Sequence, residues 1–389
     1  MASASPQQIL RRLTVIVALQ WMGATLGLPL LPLFLERRGG TPSVIGIIMA
    51  AFFAAGVVTQ FALGHLTDRY GRRPILIGAL GLYGVASMTY LLPVSAPWFA
   101  LTRAVQGSAA GAIEVASLSA VAALFAEHER GRAVSKVLAA QLTGIALGPV
   151  IGVVASVRTL GWAFFVTGLV SLAAAAQTWR TPLGDRIASE TPLPHLQWTP
   201  QVAGALVAAC AAGLTVGVYE ACWSLLMHAH HASTLQIRLS WTLFSIPWVL
   251  LSRAGGWLAD HADRRNTAVL GLLNIAFFLA LYPHIHNNVV LLFLGSLEAV
   301  GSSLSVPSIS SLLTQGAEHR ELGRRQGLYA TANTASLAAA ALVSGYLFTI
   351  NEALPFSLMA TISASLAVTA FIVWRNIEGR VRPRGRIAD

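Results

Sequence analysis

The chain has 389 residues, of which 55% are hydrophobic and only 11% charged, against ~25% charged in soluble globular proteins. Twelve membrane spans of about 22 residues would use roughly 264 residues and leave about ten for each loop and tail. That arithmetic excludes a soluble catalytic or ligand-binding domain. The formal charge of +10 would suggest nucleic acid in a soluble chain, but the distribution of the basic residues explains it differently. The two cysteines, Cys210 and Cys222, lie twelve residues apart in one apolar segment, about 18 Å along a helix, so they cannot pair. No metal-binding or disulfide spacing is present.

The apolar runs are continuous, which predicts helices and not a barrel. In chain order they fall at roughly 13–35, 43–66, 74–94, 97–124, 134–156, 159–179, 201–228, 234–258, 267–286, 288–314, 326–350 and 355–375. Arg11 and Arg12 precede the first run, which is too long for the apolar region of a cleavable signal. The expected class is an all-α membrane protein with twelve transmembrane helices.

Of the 26 basic residues, 21 cluster at one set of span ends, from Arg11 and Arg12 through Arg72, Arg73, Arg264 and Arg265 to the C-terminal arginines. Arg37, Arg38, Arg103, Arg158 and Arg238 lie on the other side or within spans. Under the positive-inside rule this places both termini in the cytoplasm. The Pro-rich, polar stretch at 181–200 reads as a cytoplasmic linker between an N-terminal six-helix bundle at 1–180 and a C-terminal bundle with a short basic tail at 201–389. The 25 arginines against one lysine, with abundant alanine, suggest a GC-rich bacterial genome and an inner-membrane location.

The two halves repeat at an offset of 192 residues. Gly64, Asp68, Arg72 and Arg73 match Gly256, Asp260, Arg264 and Arg265. Glu129, Gly131 and Arg132 match Glu321, Gly323 and Arg324, and Gln141 matches Asn333. Two parallel six-helix repeats are a known transporter plan, with the binding site near the midplane between them.

The loop Gly64-His65-Leu66-Thr67-Asp68-Arg69-Tyr70-Gly71-Arg72-Arg73 resembles the signature loop between the second and third helices of the major facilitator superfamily, and residues 256–265 form a degraded copy. The resemblance implies two pseudo-symmetric six-helix bundles. It also implies a conformational latch formed by Gly64, Asp68, Arg69, Gly71, Arg72, Arg73 and, in the copy, Asp260. In the family the residue at Asp68 meets the N-terminal end of the eleventh helix, where negative charge is favoured. The run Arg103-Ala104-Val105-Gln106-Gly107 resembles the fourth-helix motif, whose arginine is linked to proton coupling. Gly144, Gly148, Pro149 and Gly152 resemble the fifth-helix motif of the drug:proton antiporter branch, which implies a kinked, closely packed helix. Val153 stands where that motif often has a second glycine. Pro29-Leu30-Leu31-Pro32 resembles the first-helix pattern of the same branch.

Three of the sixteen acids lie within spans: Glu114, Glu220 and Glu298. An intramembrane carboxylate is a functional candidate by default, and in the resembled fold all three fall on cavity-lining helices. Arg103 and Glu114 share a helix face about 16 Å apart, so they cannot pair and each needs another partner or water. The alternative for each acid is a structural hydrogen bond between helices. Gln20, Trp21, Gln141, Tyr219, Trp223 and Asn333 are candidate substrate-lining residues, with simple packing the alternative for each aromatic. The outer-loop residues His228, His230, His231, His284 and His286 read as solvated and not as a metal site.

The expected function is proton-coupled secondary transport by alternating access, exporting hydrophobic or cationic small molecules. The alternative is transport of a defined metabolite, lipid or siderophore, or a non-transporting receptor. Expected partners are substrate, protons and the bilayer, with no nucleic acid, cofactor or metal, and a monomer as the working unit. No nucleophile–base pair or phosphate loop points to an enzyme.

Overall fold

In the computed structural model the described residues are 5–125, 127–181, 197–317 and 321–377. Within these, the side chains of 61, 63–69, 122–123, 127–128, 130–131, 153, 252 and 259–260 lie outside the description. The linker at 181–200 falls mostly outside it as well.

The chain is a multi-pass, all-α membrane protein. Span one is α1 (Pro6–Leu26) and α2 (Leu31–Arg37), joined by a 3-10 turn at Leu28–Leu30. Spans two to six are α3 (Pro42–Tyr70), α4 (Arg72–Met88), α5 (Trp98–Leu124), α6 (Glu127–Ile151) and α7 (Leu160–Trp179). Span seven is α8 (Pro200–Val218) and α9 (Ser224–Ala229), joined by a π-helical turn at Tyr219–Trp223. Spans eight to twelve are α10 (Thr234–His261), α11 (Arg264–Leu281), α12 (Asn288–Thr314), α13 (Leu322–Ile350) and α14 (Leu354–Trp374). Among the described residues, ten of these spans are long and apolar enough to cross a bilayer. The other two, α5 and α10, have 27 and 28 residues; Arg103, Gln106 and Glu114 in one, and Arg238 in the other, dilute their apolar character.

The helices overrun the apolar windows at the arginine-rich ends. α1 begins at Pro6, α3 runs to Tyr70 and α6 begins at Glu127. Arginine, lysine, glutamine and glutamate are good helix formers, so the helix continues after hydropathy has fallen. Trp162 and Trp179 are exposed at the two ends of α7. Their seventeen-residue separation spans about 26 Å, close to the ~30 Å hydrocarbon core, as interfacial tryptophans require.

Small residues let the helices touch. A Cβ at Gly107 of α5 would fall 1.8 Å from the Phe52 carbonyl of α3, and one at Gly148 of α6 would fall 1.9 Å from Thr25 Oγ1 of α1. In the second half the glycine sits on the other partner: Gly213 of α8 faces the Asn333 carbonyl of α13. Lipid is as apolar as the side chains, so such van der Waals contact is what holds helices together.

Prolines inside helices strip a carbonyl of its donor, and a neighbouring helix supplies another. Pro149 leaves the Ile145 carbonyl open, and Thr25 Oγ1 of α1 lies 3.3 Å from it, sharing its one proton with the Trp21 carbonyl of its own helix at 2.9 Å. Pro247 leaves Leu243 open, and Ser296 Oγ of α12 donates to it at 3.1 Å. Pro307 leaves Ser303 open; a Cβ at Gly255 would fall 2.0 Å from that oxygen, so it rests on glycine backbone and a weak Cα–H contact.

Two compact units are present. One comprises residues 1–192, 217–242 and 337–355; the other comprises 193–216, 243–336 and 356–389. These units cut across the six-helix halves. Within the first unit, Ser224 Oγ donates to the Pro29 carbonyl at 2.7 Å, and Pro32 has no N–H to offer that oxygen. Arg238 donates to the Ala155 carbonyl, and a Cβ at Gly345 would sit 2.5 Å from the Pro42 carbonyl.

Thr25→Val and Ser296→Ala should each lower unfolding stability in micelles by about 1 kcal/mol. Pro149→Ala should shrink the loss for Thr25→Val, and Pro247→Ala the loss for Ser296→Ala, because each restores a backbone donor. A double-mutant thermal-unfolding cycle measures the coupling; additive losses would refute the exchange of donors.

Candidate functional site

α5 turns one face to α3. Positions 103, 107, 111 and 114 recur at helical spacing, opposite 52, 56 and 60 of α3. Arg103 places its guanidinium 4.1 Å from the Phe52 ring centroid. Gly107 and Gly111 let the backbones meet at Phe52 and Gly56. Glu114 Oε2 accepts a hydrogen bond from Gln60 Nε2 at 3.3 Å. The two charges predicted to share a face therefore have different partners, an aromatic ring and an amide.

Arg103 is buried, and its Nε has no hydrogen-bond partner among the described residues. Its charge acts on Tyr83, Tyr90 and Glu220. Around it runs a polar relay: Tyr90 donates to Gln106 Oε1 at 3.2 Å, and Gln106 Nε2 donates to Ser87 Oγ at 2.9 Å. Tyr90 also stacks on Phe164 at 4.1 Å. Gln106 appears in the sequence motif, but its partners on α4 and the following turn could not be read there.

Glu220 lies on the π-helical turn of span seven, 8% exposed, and its Oε2 has no hydrogen-bond partner among the described residues. The turn also carries Tyr219 and Trp223, whose rings meet edge to face at 5.9 Å. Trp223 Nε1 donates to Ser240 Oγ of α10 at 2.8 Å. A π turn adds a residue to the helical repeat and commonly marks functional positions. Nothing in the apolar pattern of residues 201–228 announces it.

Glu298 differs. Its Oε2 accepts from the Tyr282 hydroxyl at 2.5 Å, fully buried, and Gly301 on the same face of α12 abuts Gly271 and Asn274 of α11. This carboxylate faces the neighbouring helix α11. The sequence reading grouped it with Glu114 and Glu220 because Tyr282, sixteen residues away, gave no signal.

The substrate-lining candidates also separate. Gln20 accepts from Ser171 Oγ of α7 at 2.6 Å, and Asn333 Nδ2 donates to the Ala209 carbonyl of α8 at 3.0 Å. Both amides join helices. Trp21 is partly buried against the core of the first half and lies beside Gly144, whereas Gln141 is half-buried. Gly144, Gly148 and Gly152 form a seam on α1, meeting Ala18, Met22 and Leu26. Pro149 falls two residues before α6 ends and passes into a 3-10 turn, so it closes the helix.

Of the latch residues, Gly64, Asp68, Arg69 and Asp260 have side chains outside the described residues. Gly71 separates α3 from α4 with φ +86°, a conformation that favours glycine. Arg72 Nε donates to Ser119 Oγ of α5 at 2.9 Å, and Arg73 is half-buried. At the repeat equivalent of Gly71 stands Asp263, which caps α11 by accepting from the Arg265 and Asn266 backbone N–H groups. Arg265 pairs with Asp263 at 2.6 Å and donates to the Arg375 and Ile377 carbonyls just past the end of α14. The hydrogen bond from the Arg265 side chain holds the Asp263 carboxyl below the usual range.

The sequence pattern of the Major Facilitator Superfamily matches residues 13–205 and again 202–388. The chain belongs to the Major Facilitator Superfamily. The double match reproduces the repeat, and the family and its structural neighbours are transporters, not enzymes. A chloramphenicol resistance protein of Pseudomonas aeruginosa is 33% identical over 162 residues, covering 41% of this chain and 38% of that protein. An uncharacterised MFS-type transporter of Methanocaldococcus jannaschii is 22% identical across 82% of this chain and 86% of its own length. Multidrug resistance protein 2 of Bacillus subtilis is 28% identical over 40% of this chain and 39% of its own length. The matched stretch thus spans well under half of either resistance protein. Among solved structures, a bacterial homologue of the human lysosomal transporter Spinster superposes with a TM-score of 0.77 at 10% identity, covering 98% of this chain and all of that one. The nucleoside transporter NupG superposes at 0.74 and 11% identity, covering 94% of this chain and all of that one. At these identities the likeness shows the fold alone.

Two outcomes follow from the geometry. Gly148→Leu should separate α1 from α6, costing about 1–3 kcal/mol or more and stopping turnover in vesicles; wild-type stability and flux would refute the seam. Asp263 has a depressed folded pKa, so its stabilisation is present above its unfolded value of about 3.9 and is lost as pH falls through the lower folded value. Asp263→Asn should remove that acid-side loss, measured as unfolding temperature against pH.

Proposed function

We propose that the protein is a proton-coupled exporter of apolar or cationic small molecules that works by alternating access, with both termini in the cytoplasm. Glu220 is the exchanging carboxylate, Glu114 a second proton site, and Arg103 the fixed charge opposite Glu220. The observation that carries this reading is the buried Glu220 carboxylate on a π turn, with Oε2 unpartnered among the described residues and the Arg103 charge in reach.

A carboxylate in a low-dielectric site must be neutralised or matched by a cation. A proton on Glu220 and a cationic substrate beside it are alternative solutions to the same problem. Binding one therefore favours release of the other, and alternate exposure of the site to the two sides turns this competition into exchange. Tyr219 and Trp223 flank the carboxylate and offer ring faces to an apolar or cationic ligand. The relatives named for chloramphenicol and multidrug resistance support export of such molecules. Glu298, already bonded to Tyr282, is assigned a structural role, as are Gln20 and Asn333. The Asp68 latch retains its proposed role at the cytoplasmic turn.

The test is uptake of a fluorescent lipophilic cation by proteoliposomes under an imposed pH gradient. Glu220→Gln should abolish accumulation against the cation gradient while leaving downhill exchange, and Glu114→Gln should weaken coupling. Glu298→Gln should keep coupling and lose about 1.5–3 kcal/mol of stability. Full proton-driven accumulation by the Glu114→Gln, Glu220→Gln double variant would refute the carboxylate mechanism.

A further inference from the structure

A shallow, open surface recess of about 340 Å³ lies at the arginine-rich end of α1, lined by Gln8, Arg11, Arg12, Val15 and Gln177, all exposed but the half-buried Arg12. The first four recur at i, i+3, i+4 and i+7, so they share one face of α1; Gln177 borders the recess from α7. Leu19 continues that face, and it and Val15 are both exposed. Over about 16 Å the surface changes from amide and guanidinium to aliphatic. Trp179, exposed on α7 two residues beyond Gln177, marks the membrane interface at the level of the arginines.

Several arginines at this end are committed within the protein. Arg265 pairs with Asp263, Arg325 with Glu321, and Arg72 with Ser119. Arg11 and Arg12 have no acid within ion-pair distance among the described residues. Two adjacent guanidiniums in a recess match the oxygens of a phosphate, which arginine binds bidentately. The aliphatic stripe above them matches an acyl chain and serves no purpose for a free ion.

We propose that this recess binds the phosphate head group of an anionic phospholipid in the leaflet at the arginine-rich face, with the acyl chain lying along Val15 and Leu19. The site is separate from the Glu220 region and does not depend on its assignment.

The experiment is native mass spectrometry of the full-length protein released from micelles holding phosphatidylglycerol and phosphatidylcholine of equal chain length in equal amounts. Wild type should retain phosphatidylglycerol preferentially. Arg11→Gln with Arg12→Gln should lower that retention roughly tenfold or more, since each basic residue contributes strongly at an anionic surface. Arg253→Gln, removing an exposed arginine from α10 at the same end, should not. The two α1 arginines also orient the first span, so Gln177→Glu provides a second variant that keeps every positive charge and should also loosen the lipid. Equal retention of the two lipids by wild type, or unchanged phosphatidylglycerol retention in both recess variants, overturns the proposal. Displacement of the lipid by millimolar inorganic phosphate would show a free-anion site and overturn it equally.

Discussion

The structure depends on the requirement that a backbone carbonyl surrounded by lipid find a donor within the protein. Helices meet it by themselves except at proline. Where Pro247 opens a carbonyl, Ser296 reaches across from an adjacent helix, and Thr25, bonded first to its own helix, also stands 3.3 Å from the carbonyl that Pro149 opens; both need the helices to touch. The glycines opposite these helices therefore serve two ends. They give van der Waals contact in the absence of a hydrophobic drive between helices, and they bring hydroxyls within range of open oxygens.

The same requirement sorts the buried side chains. Glu298 has Tyr282, Gln20 has Ser171, Asn333 has a carbonyl of α8, and Glu114 has Gln60. Each bond ties one helix to another. Glu220 Oε2 and Arg103 Nε are buried without such a bond among the described residues, as are Gln20 Nε2, Tyr83 Oη and Asn274 Oδ1. A membrane protein keeps uncompensated polar atoms in its interior at a cost of several kcal/mol, which is reasonable where a proton or a ligand completes the set.

The internal repeat places different residues at equivalent points. Gly71 precedes α4 with positive φ, whereas Asp263, its counterpart, is extended and caps α11 with its side chain. The fifth span carries the glycines against the first, but the seventh carries Gly213 against the eleventh. Arg265 uses its place in the degraded loop to engage the carbonyls past the end of α14. A close approach needs one small partner, and either helix can provide it.

Hydropathy determined the number and order of the spans, because it is a sum over about 20 residues that needs no knowledge of a neighbour, and the charge asymmetry carries the expectation of their direction. The twin loops and the glycine runs at 107–111 and 144–152 were legible for a similar reason: a tight turn or a close contact demands a particular residue locally. The tertiary structure decided the rest. Glu114, Glu220 and Glu298 are equivalent in sequence, each a lone acid in an apolar run. They differ only in what stands across from them: an amide on α3, a distant arginine charge on α5, a tyrosine at the end of α11. The setting of the π turn that carries Glu220 and the hydroxyls near the proline-freed carbonyls are likewise relations between helices, and no single helix encodes its partner.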